Sequence, residues 1–176
     1  MLKDKNKTEL EVILVLHDIR SVLNIGSIFR TSDAVGVSKI YLTGYSPGPI
    51  DRFGRERNDF KKTALGSEKT VDWEILNEEN NILDFILQLK KQKCLIVGLE
   101  QNEKSIDYKK FCDDVCRTEN FKTKKIAIFV GREVDGLSGE IIDLCDFIVE
   151  IPMFGKKESL NVSVATAIFL FRLLDK

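Results

Sequence analysis

Three short polar clusters hold the residues of this sequence whose types could do chemistry. They read NIGSIFR at 24–30, GREVDG at 131–136 and IPMFGKKESLN at 151–161. The first contains an amide and a guanidinium, the second contains carboxylates between glycines, and the third ends in a hydroxyl and an amide. Glycine lets backbone approach a ligand closely, and functional side chains concentrate on loops. Each cluster therefore has the composition of a binding or catalytic loop.

Short apolar runs precede the clusters and predict the elements that position them. The run at 12–16 precedes the first cluster, and runs that start at 126 and 147 precede the second and third. Such β-branched runs are typical of parallel strands buried on both faces. They alternate with helical patterns, which predicts an α/β fold with a mostly parallel sheet of five or six strands, covered by helices on both faces.

The first cluster lies on a predicted helix that begins near Asn24 and stops at Gly36. Asn24, Ser27 and Arg30 follow one another at a spacing of three residues, so they share one face of that helix. At the carboxyl end of a strand, such a face is where α/β sheets place ligands. An exposed amphipathic helix with an ordinary N-cap is the alternative, and this segment alone leaves both interpretations open.

The third cluster ends directly before an almost wholly apolar segment, 162–174. Ser159 and Asn161 are suited to capping that helix, and a capping role without chemistry is one interpretation of them. The helix has no polar face before Arg172, which predicts that it is buried on all sides. We therefore expect a second subunit to cover it.

Length and composition favour one domain over residues 1–176 and exclude several classes of protein. The sequence has no run of 18 apolar residues, as a membrane-spanning helix would need. Its charged N-terminus lacks the apolar core of a secretion signal, so we expect a cytoplasmic protein. The four cysteines form no CxxC pair, so we expect reduced thiols and no metal site.

The formal net charge of −1 argues against binding nucleic acid by bulk electrostatics, so any RNA contact must use local basic patches. The loop from 46 to 62 contains such a patch, although a solvated surface run is the alternative for each patch taken alone. The lone His17 follows the first strand, where a structural or incidental role is favoured over a chemical one.

No Walker loop, GxGxxG fingerprint or GxSxG elbow is present, which removes the commonest α/β enzymes. The three clusters, in their order and spacing, closely resemble the signature motifs of the SpoU (TrmH) family of RNA 2′-O-ribose methyltransferases, within the SPOUT superfamily. The resemblance extends from about Val12 to Leu174. It implies S-adenosylmethionine as cofactor, a homodimer whose active sites combine loops of two subunits, and a deep trefoil knot at about 126–176.

The resemblance also implies catalytic roles. Arg30 matches the essential arginine of the first motif, with Asn24 beside it. Arg30 would activate the ribose hydroxyl, hold a phosphate or stabilise the developing alkoxide, and a guanidinium pKa above about 12 makes it a poor base. Glu133 would hold Arg30 or accept the proton through water. Ser159 and Asn161 match the polar pair of the third motif.

By the same resemblance, the cofactor would lie among the loops that follow three strands. The implied cofactor-binding residues are Leu99, Gly131, Ile151, Met153, Ser159 and Leu160. The expected RNA-binding residues are Arg30, Arg52, Arg55, Arg57 and Arg132. At Arg132 the chain departs from the motif, which usually has Asn between Gly and Glu.

The favoured substrate is tRNA. The sequence shows no N-terminal RNA-binding extension of the kind found in ribosomal-RNA-modifying members, and a catalytic domain of this length looks more like the tRNA-modifying members. The same chemistry on ribosomal RNA is the first alternative. A protein of the same fold that binds RNA or cofactor without catalysis is the second, with mild support from Arg132 and the near-neutral net charge.

Overall fold

The computed structural model describes residues 10–76, 81–117 and 124–174. The strands are β1 (Glu11–His17), β2 (Lys39–Thr43), β3 (Asp72–Ile75), β4 (Leu95–Leu99), β5 (Ile106–Asp107), β6 (Lys125–Val130) and β7 (Phe147–Glu150). The helices are α1 (Val22–Val35), α2 (Asn58–Ala64), α3 (Ile82–Lys91), α4 (Tyr108–Phe111), α5 (Gly139–Leu144) and α6 (Val162–Leu174). A 3₁₀ turn at Ser67–Lys69 and a π-helical turn at Cys112–Cys116 complete the described elements.

All seven strands of the described chain belong to one sheet, in the order β3-β2-β1-β6-β4-β7-β5. Every neighbouring pair is parallel. The predicted α/β class with a parallel sheet is therefore confirmed, although the strand count is higher than the expected five or six. One strand that the sequence pattern does not reveal is β5. It has only two residues, which pair with β7 at the sheet edge and are too few to give a periodic signal.

Helices cover both faces of the sheet, as the apolar runs predicted. Alternate residues of β1 point to opposite faces, so Val12 and Leu14 join one core while Ile13 and Val15 join the other. The first core contains side chains of α1, α2, α4 and α6, and the second contains side chains of α3 and α5. Burial on both faces explains why these strands are continuous apolar runs.

Helix α1 begins two residues before the predicted position near Asn24. Ser21 is its N-cap, and the Ser21 hydroxyl accepts a hydrogen bond from the backbone N–H of Asn24 at 3.2 Å. Gly36 ends the helix in the left-handed region with φ of 83°, which confirms the predicted stop. Asn24 is therefore free of the capping role, and its side chain remains available for other contacts.

Asn77 is the residue that the sequence pattern predicts as the N-cap of the helix after β3, and it lies outside the described residues. Helix α3 begins at Ile82, and its N-cap is Asn81, whose side chain accepts a hydrogen bond from Leu83 N–H at 2.9 Å.

No helix in the described part of the chain is both long and apolar enough to span a membrane.

Within one chain, helix α6 is buried on its inner side only, and its expected cover by a second subunit stays a prediction. Its inner side packs on α1 and α4 and buries Phe169, Leu170 and Leu173. Its outer side leaves Val164 46% and Phe171 43% exposed. An isolated chain offers a partner for only one side of this helix, so an apolar stripe remains open to solvent.

Candidate active site at the carboxyl edge of the sheet

A pocket of about 190 Å³ opens where the loops after β4, β6 and β7 meet. These loops share one edge because all the strands are parallel. The six residues that the resemblance assigned to the cofactor all line this pocket: Leu99, Gly131, Ile151, Met153, Ser159 and Leu160. Residues more than fifty positions apart in sequence are thus brought around one cavity.

The loop after β6 closes on itself and places Glu133 at its tip. Arg132 N–H donates to the Gly136 carbonyl at 3.2 Å, and Gly136 N–H donates to the Arg132 carbonyl at 3.1 Å. A Cβ atom on Gly131 would lie 2.5 Å from the backbone of Gly136, so only glycine permits this approach. The glycines predicted to allow a close approach therefore make the loop itself possible.

A carboxylate that sequence reasoning missed anchors the same loop. Glu100 directly follows β4, and its Oε2 atom accepts a hydrogen bond from Leu137 N–H at 3.0 Å. A Cβ atom on Gly136 would lie only 2.1 Å from that oxygen, and Gly136 has φ of 66°. The available signal was an acidic residue immediately after a buried strand. Glu100 also lines the pocket, so it adds a negative charge to its wall.

Glu133 holds the N-terminus of α1. Its carboxylate accepts hydrogen bonds from Arg20 N–H at 3.3 Å, Ser21 N–H at 3.2 Å and the Asn24 side-chain amide at 3.3 Å. Partial burial opposes ionisation, but these bonds and the backbone N–H of Glu133 itself outweigh burial and lower the pKa of Glu133. In the described residues Glu133 forms no ion pair with Arg30, so the suggested Glu133–Arg30 contact is not part of this arrangement.

Asn161 joins the third motif to the first. Its Nδ2 group donates to Asn24 Oδ1 at 3.1 Å, while its Oδ1 atom accepts from Ser163 N–H at 2.9 Å and from the Ser163 hydroxyl at 2.7 Å. The capping interpretation thus holds for Asn161, which in addition contacts Asn24. Hydrogen bonds connect Glu133, Asn24 and Asn161 in one chain that crosses the three motifs. Ser159 instead lines the pocket.

Arg30 lies just under two turns along α1 from Asn24, the central member of this chain of hydrogen bonds. Six residues separate it from Asn24, which corresponds to a rise of about 9 Å along the helix axis. Its side chain is exposed, and it forms no hydrogen bond or ion pair with any residue that the structure describes. The guanidinium is therefore available to a ligand from solvent.

Arg132 extends the site toward the loop after β2. Its Nε group donates to the Tyr45 hydroxyl at 2.9 Å, and its Nη1 group pairs with the Asp135 carboxylate at 3.1 Å. The guanidinium of Arg20 lies 5.5 Å from the centre of the Tyr45 ring. Sequence reasoning did not single out Tyr45, because no pattern marks a lone tyrosine in a loop.

The other predicted RNA-binding arginines lie away from the pocket walls. The guanidinium groups of Arg52 and Arg55 lie 4.8 Å and 4.9 Å from the centre of the Phe53 ring. Arg55 also pairs with Asp51 at 2.9 Å, and Arg57 is the residue before α2. The predicted irregular loop of 46–62 is thus partly ordered, since it ends in a helix from Asn58 onward.

The histidine and the cysteines have structural surroundings. His17 Nδ1 lies 2.8 Å from the Thr43 hydroxyl, and burial lowers the pKa of His17. All four cysteines are free, and burial raises the pKa of Cys94 to about 12 and that of Cys112 to about 11. Within the described ranges, no group of three or more His, Cys, Asp or Glu side chains is arranged to bind a metal ion.

Known proteins resemble this chain over almost its whole length. A protein of Aquifex aeolicus named tRNA (guanosine(18)-2′-O)-methyltransferase is 30% identical over 94% of this chain and 69% of its own length. A Borreliella burgdorferi protein of the same name is 32% identical over 98% of this chain and 74% of its own length. The AdoMet-bound rRNA methyltransferase of Sinorhizobium meliloti superposes with a TM-score of 0.75 at 28% identity, over 94% of this chain and 56% of that chain.

The sequence model of the SpoU rRNA Methylase family matches residues 11–171, a range that contains all three polar clusters. Their order along the chain, their meeting at one edge of the sheet and this match lead to the same conclusion: the chain belongs to the SpoU rRNA Methylase family.

Proposed function

We propose that this protein transfers a methyl group from S-adenosylmethionine to a ribose 2′-hydroxyl of RNA, with tRNA as the favoured substrate. The observation that carries the proposal is the hydrogen-bonded chain of Glu133, Asn24 and Asn161 at the rim of the pocket. It joins all three motifs in one place, and the pocket beside it contains every residue expected to bind the cofactor. The names of the Aquifex and Borreliella relatives support tRNA as the substrate.

The lining of the pocket suits S-adenosylmethionine in polarity and charge. Its walls combine apolar side chains such as Leu99 and Met153 with the carboxylates of Glu100 and Glu150. A cationic ligand that also contains an apolar ring fits such a lining. The bound cofactor would supply an electrophilic methyl group. The residues that would hold it are Leu99, Gly131, Ile151, Met153, Ser159 and Leu160.

In this proposal Arg30 acts on the substrate. A guanidinium is a poor base, so its contribution is to bind a phosphate or to stabilise the developing alkoxide of the ribose. Its exposure and its freedom from a carboxylate partner among the described residues leave its N–H groups available for an anion. Hydrogen bonds to an anion are stronger than those between neutral groups.

Glu133 acts by positioning in this proposal. Its lowered pKa makes it a weak base. Its hydrogen bonds with Arg20 and Ser21 directly before α1, and with Asn24 within α1, fix the helix that also contains Arg30. The proton of the ribose hydroxyl would then leave to water or to a group of the substrate RNA. Asn24 and Asn161 hold the first and third motifs in register beside the pocket.

The wider organisation is also proposed. The protein would act in the cytoplasm as a homodimer, each chain being one domain, 1–176, with a trefoil knot at about 126–176. The exposed apolar residues Leu23 on α1 and Val164 and Phe171 on α6 support the dimer, because these two helices pack together and expose apolar side chains. Arg52, Arg55, Arg57 and Arg132 would contact RNA phosphates together with Arg30.

The experiment that tests the function uses purified protein, labelled S-adenosylmethionine and bulk RNA from a strain that lacks the gene. After incubation, the RNA is digested to nucleosides and analysed by mass spectrometry. A new 2′-O-methylnucleoside in the tRNA fraction is the expected result. Asn24→Ala serves as the matched control, because it removes the central link of the hydrogen-bonded chain.

Other outcomes separate the alternatives. Label in ribosomal RNA would support the same methyl transfer and identify ribosomal RNA as the substrate instead of tRNA. The absence of label in all RNA, from folded protein that binds the cofactor in equilibrium dialysis, would overturn the proposal in favour of binding without catalysis.

A further inference from the structure

We propose that the segment from Gly44 to Arg57 holds unpaired bases of the substrate RNA on two aromatic platforms, Tyr45 and Phe53. The inference rests on the proposed function for the class of ligand, and it adds two residues outside the three motifs. Each platform is an exposed ring with two guanidinium groups nearby. At each, one arginine is paired with a carboxylate, and the other has no carboxylate partner among the described residues.

The first platform, Tyr45, lies beside the active site. Its ring is 44% exposed, and the guanidinium groups of Arg20 and Arg132 lie 5.5 Å and 5.9 Å from the ring centre. Arg132 is held by Asp135 and by the Tyr45 hydroxyl. Tyr45 therefore connects the loops after β1, β2 and β6 while much of its ring remains open to solvent.

The backbone at Gly44 and Tyr45 is held in one conformation by Asp18. Tyr45 N–H donates to the Asp18 carboxylate at 3.1 Å. Gly44 adopts φ of 62°, and a Cβ atom on it would lie 1.9 Å from the same carboxylate. The ring is therefore presented from a fixed turn at the carboxyl edge of the sheet. Less conformational entropy is lost when a fixed ring binds a base than when a mobile one does.

The second platform, Phe53, lies at the tip of a compact turn. Its ring is 65% exposed and has no polar atom of its own. Asp51 organises the turn, since its Oδ1 atom accepts hydrogen bonds from the N–H groups of Phe53 at 2.8 Å and Arg55 at 2.9 Å. The hydrogen bond from the Arg55 backbone N–H is the largest of the effects that lower the pKa of Asp51, and together these effects outweigh desolvation. This carboxylate is therefore ionised at neutral pH.

The charges around the rings favour RNA over a protein partner. Arg55 is neutralised by Asp51, whereas Arg52 has no carboxylate partner among the described residues. An unpaired guanidinium beside an exposed ring can bind a phosphate while the ring stacks on the attached base. A single-stranded segment satisfies both groups at once, but a duplex hides its bases in its own stack.

The test measures binding of two fluorescent RNAs, a hairpin with an unpaired loop and a blunt duplex of the same length, by anisotropy. Phe53→Leu and Tyr45→Leu remove a ring but keep an apolar side chain. We expect each to raise the Kd for the hairpin by about five- to a hundredfold, the range for loss of one stacked base. The Kd for the duplex and that for S-adenosylmethionine should change less than about twofold.

Matched variants distinguish stacking from other roles. Phe53→Trp and Tyr45→Phe keep an aromatic ring, so they should bind the hairpin as the wild type does. Leu87→Ala, at a similarly exposed apolar position on α3, is the control for loss of apolar surface. Unchanged hairpin binding by both leucine variants would overturn the proposal. So would a change from dimer to monomer in sedimentation, because the rings would then be subunit contacts.

The binding assay also separates this inference from the proposed function. If wild-type protein methylates no RNA but Phe53→Leu and Tyr45→Leu still weaken hairpin binding, the function fails and the platforms stand. If methylation occurs and the leucine variants retain both activity and hairpin affinity, the function stands and the platforms fail.

Discussion

The Glu133 carboxylate shows how hydrogen bonds decide the role of a residue. It accepts hydrogen bonds from the backbone N–H groups of Arg20 and Ser21, directly before α1, where the helix dipole also favours a negative charge. A carboxylate stabilised in this way holds its proton weakly. We therefore interpret Glu133 as a group that positions α1, since a general base near neutral pH would need a raised pKa.

Glu133→Gln should lower methyl transfer by a factor that does not depend on pH between about 6 and 9, because the lowered pKa of Glu133 keeps it ionised throughout that range. Rates measured across this range check the prediction. Glu140→Gln, an exposed carboxylate on α5, is the control. Loss of an acidic limb of the rate profile near neutrality in Glu133→Gln alone would identify Glu133 as the base instead.

The same lowered pKa has a consequence for stability. A carboxylate with a depressed folded-state pKa contributes stability above its ordinary value of 4.5, and the contribution is lost as pH falls through the lowered pKa. Denaturant unfolding of wild type and Glu133→Gln should therefore differ at pH 7 and converge in acid. A difference that grows as pH falls would contradict this sign.

Arg30→Ala should reduce methyl transfer by about a hundredfold or more, as expected when a group that stabilises developing charge is removed. The side chain is exposed and forms no hydrogen bond or ion pair with a described residue, so the free energy of unfolding should change by less than about 0.5 kcal/mol. Initial rates and denaturant titration measure the two effects. Lys91→Ala, an exposed cation on α3, is the control, and full activity of Arg30→Ala would remove Arg30 from the mechanism.

Among the elements, α1 and α6 carry the site. Asn161 accepts a hydrogen bond at the N-terminus of α6 and donates one to Asn24 near the N-terminus of α1. One side chain thus ends the loop after β7, starts a helix and fixes the spacing between two motifs. The cap stabilises α6, whereas the hydrogen bond to Asn24 fixes the position of the third motif relative to the first.

Substitutions at Asn161 should separate these contributions. Asn161→Ala loses both and should lower the free energy of unfolding by about 1 kcal/mol. Asn161→Ser can still cap α6 but has no amide to donate to Asn24, so it should be nearly as stable as wild type. Both variants should lose about ten- to a hundredfold in kcat/KM through misplacement. Wild-type activity of Asn161→Ser would show that the cap is the whole role of Asn161.

The whole molecule is arranged around a sheet whose strands all point the same way. Every loop of the candidate site follows the carboxyl end of a strand, so five separated segments reach one edge. On the outer side of α6, a single chain leaves an apolar stripe exposed to solvent. A second copy of the chain would cover it at the same helices that carry the first and third motifs.

Phe171→Asp should therefore raise the dimer Kd by about tenfold or more, because a charge at the centre of an apolar contact must be desolvated. Methyl transfer should fall with the dimer fraction if the active site draws on both subunits. Sedimentation and initial rates over a protein dilution series measure both quantities. Leu87→Asp, on the opposite face, is the control, and a wild-type protein that stays monomeric would contradict the dimer.

The class of the fold, the family and six of the residues that line the pocket can be inferred without the structure. The buried strands β1 and β6 are apolar throughout from Val12 to Leu16 and from Ile126 to Val130, and that local signal needs no tertiary information. The motifs depend on order and spacing, which a single chain also displays. Even the helix stop at Gly36 follows from a local need for positive φ.

Which distant groups meet at the site depends on the folding of the whole chain. Glu133 is more than a hundred residues from Arg20 and Ser21, and Tyr45 is 87 residues from Arg132, so no local pattern relates them. The exposed side of α6 depended on which neighbours pack against it. Side-chain partners across a sheet edge are set by strand order, and strand order is a property of the whole chain.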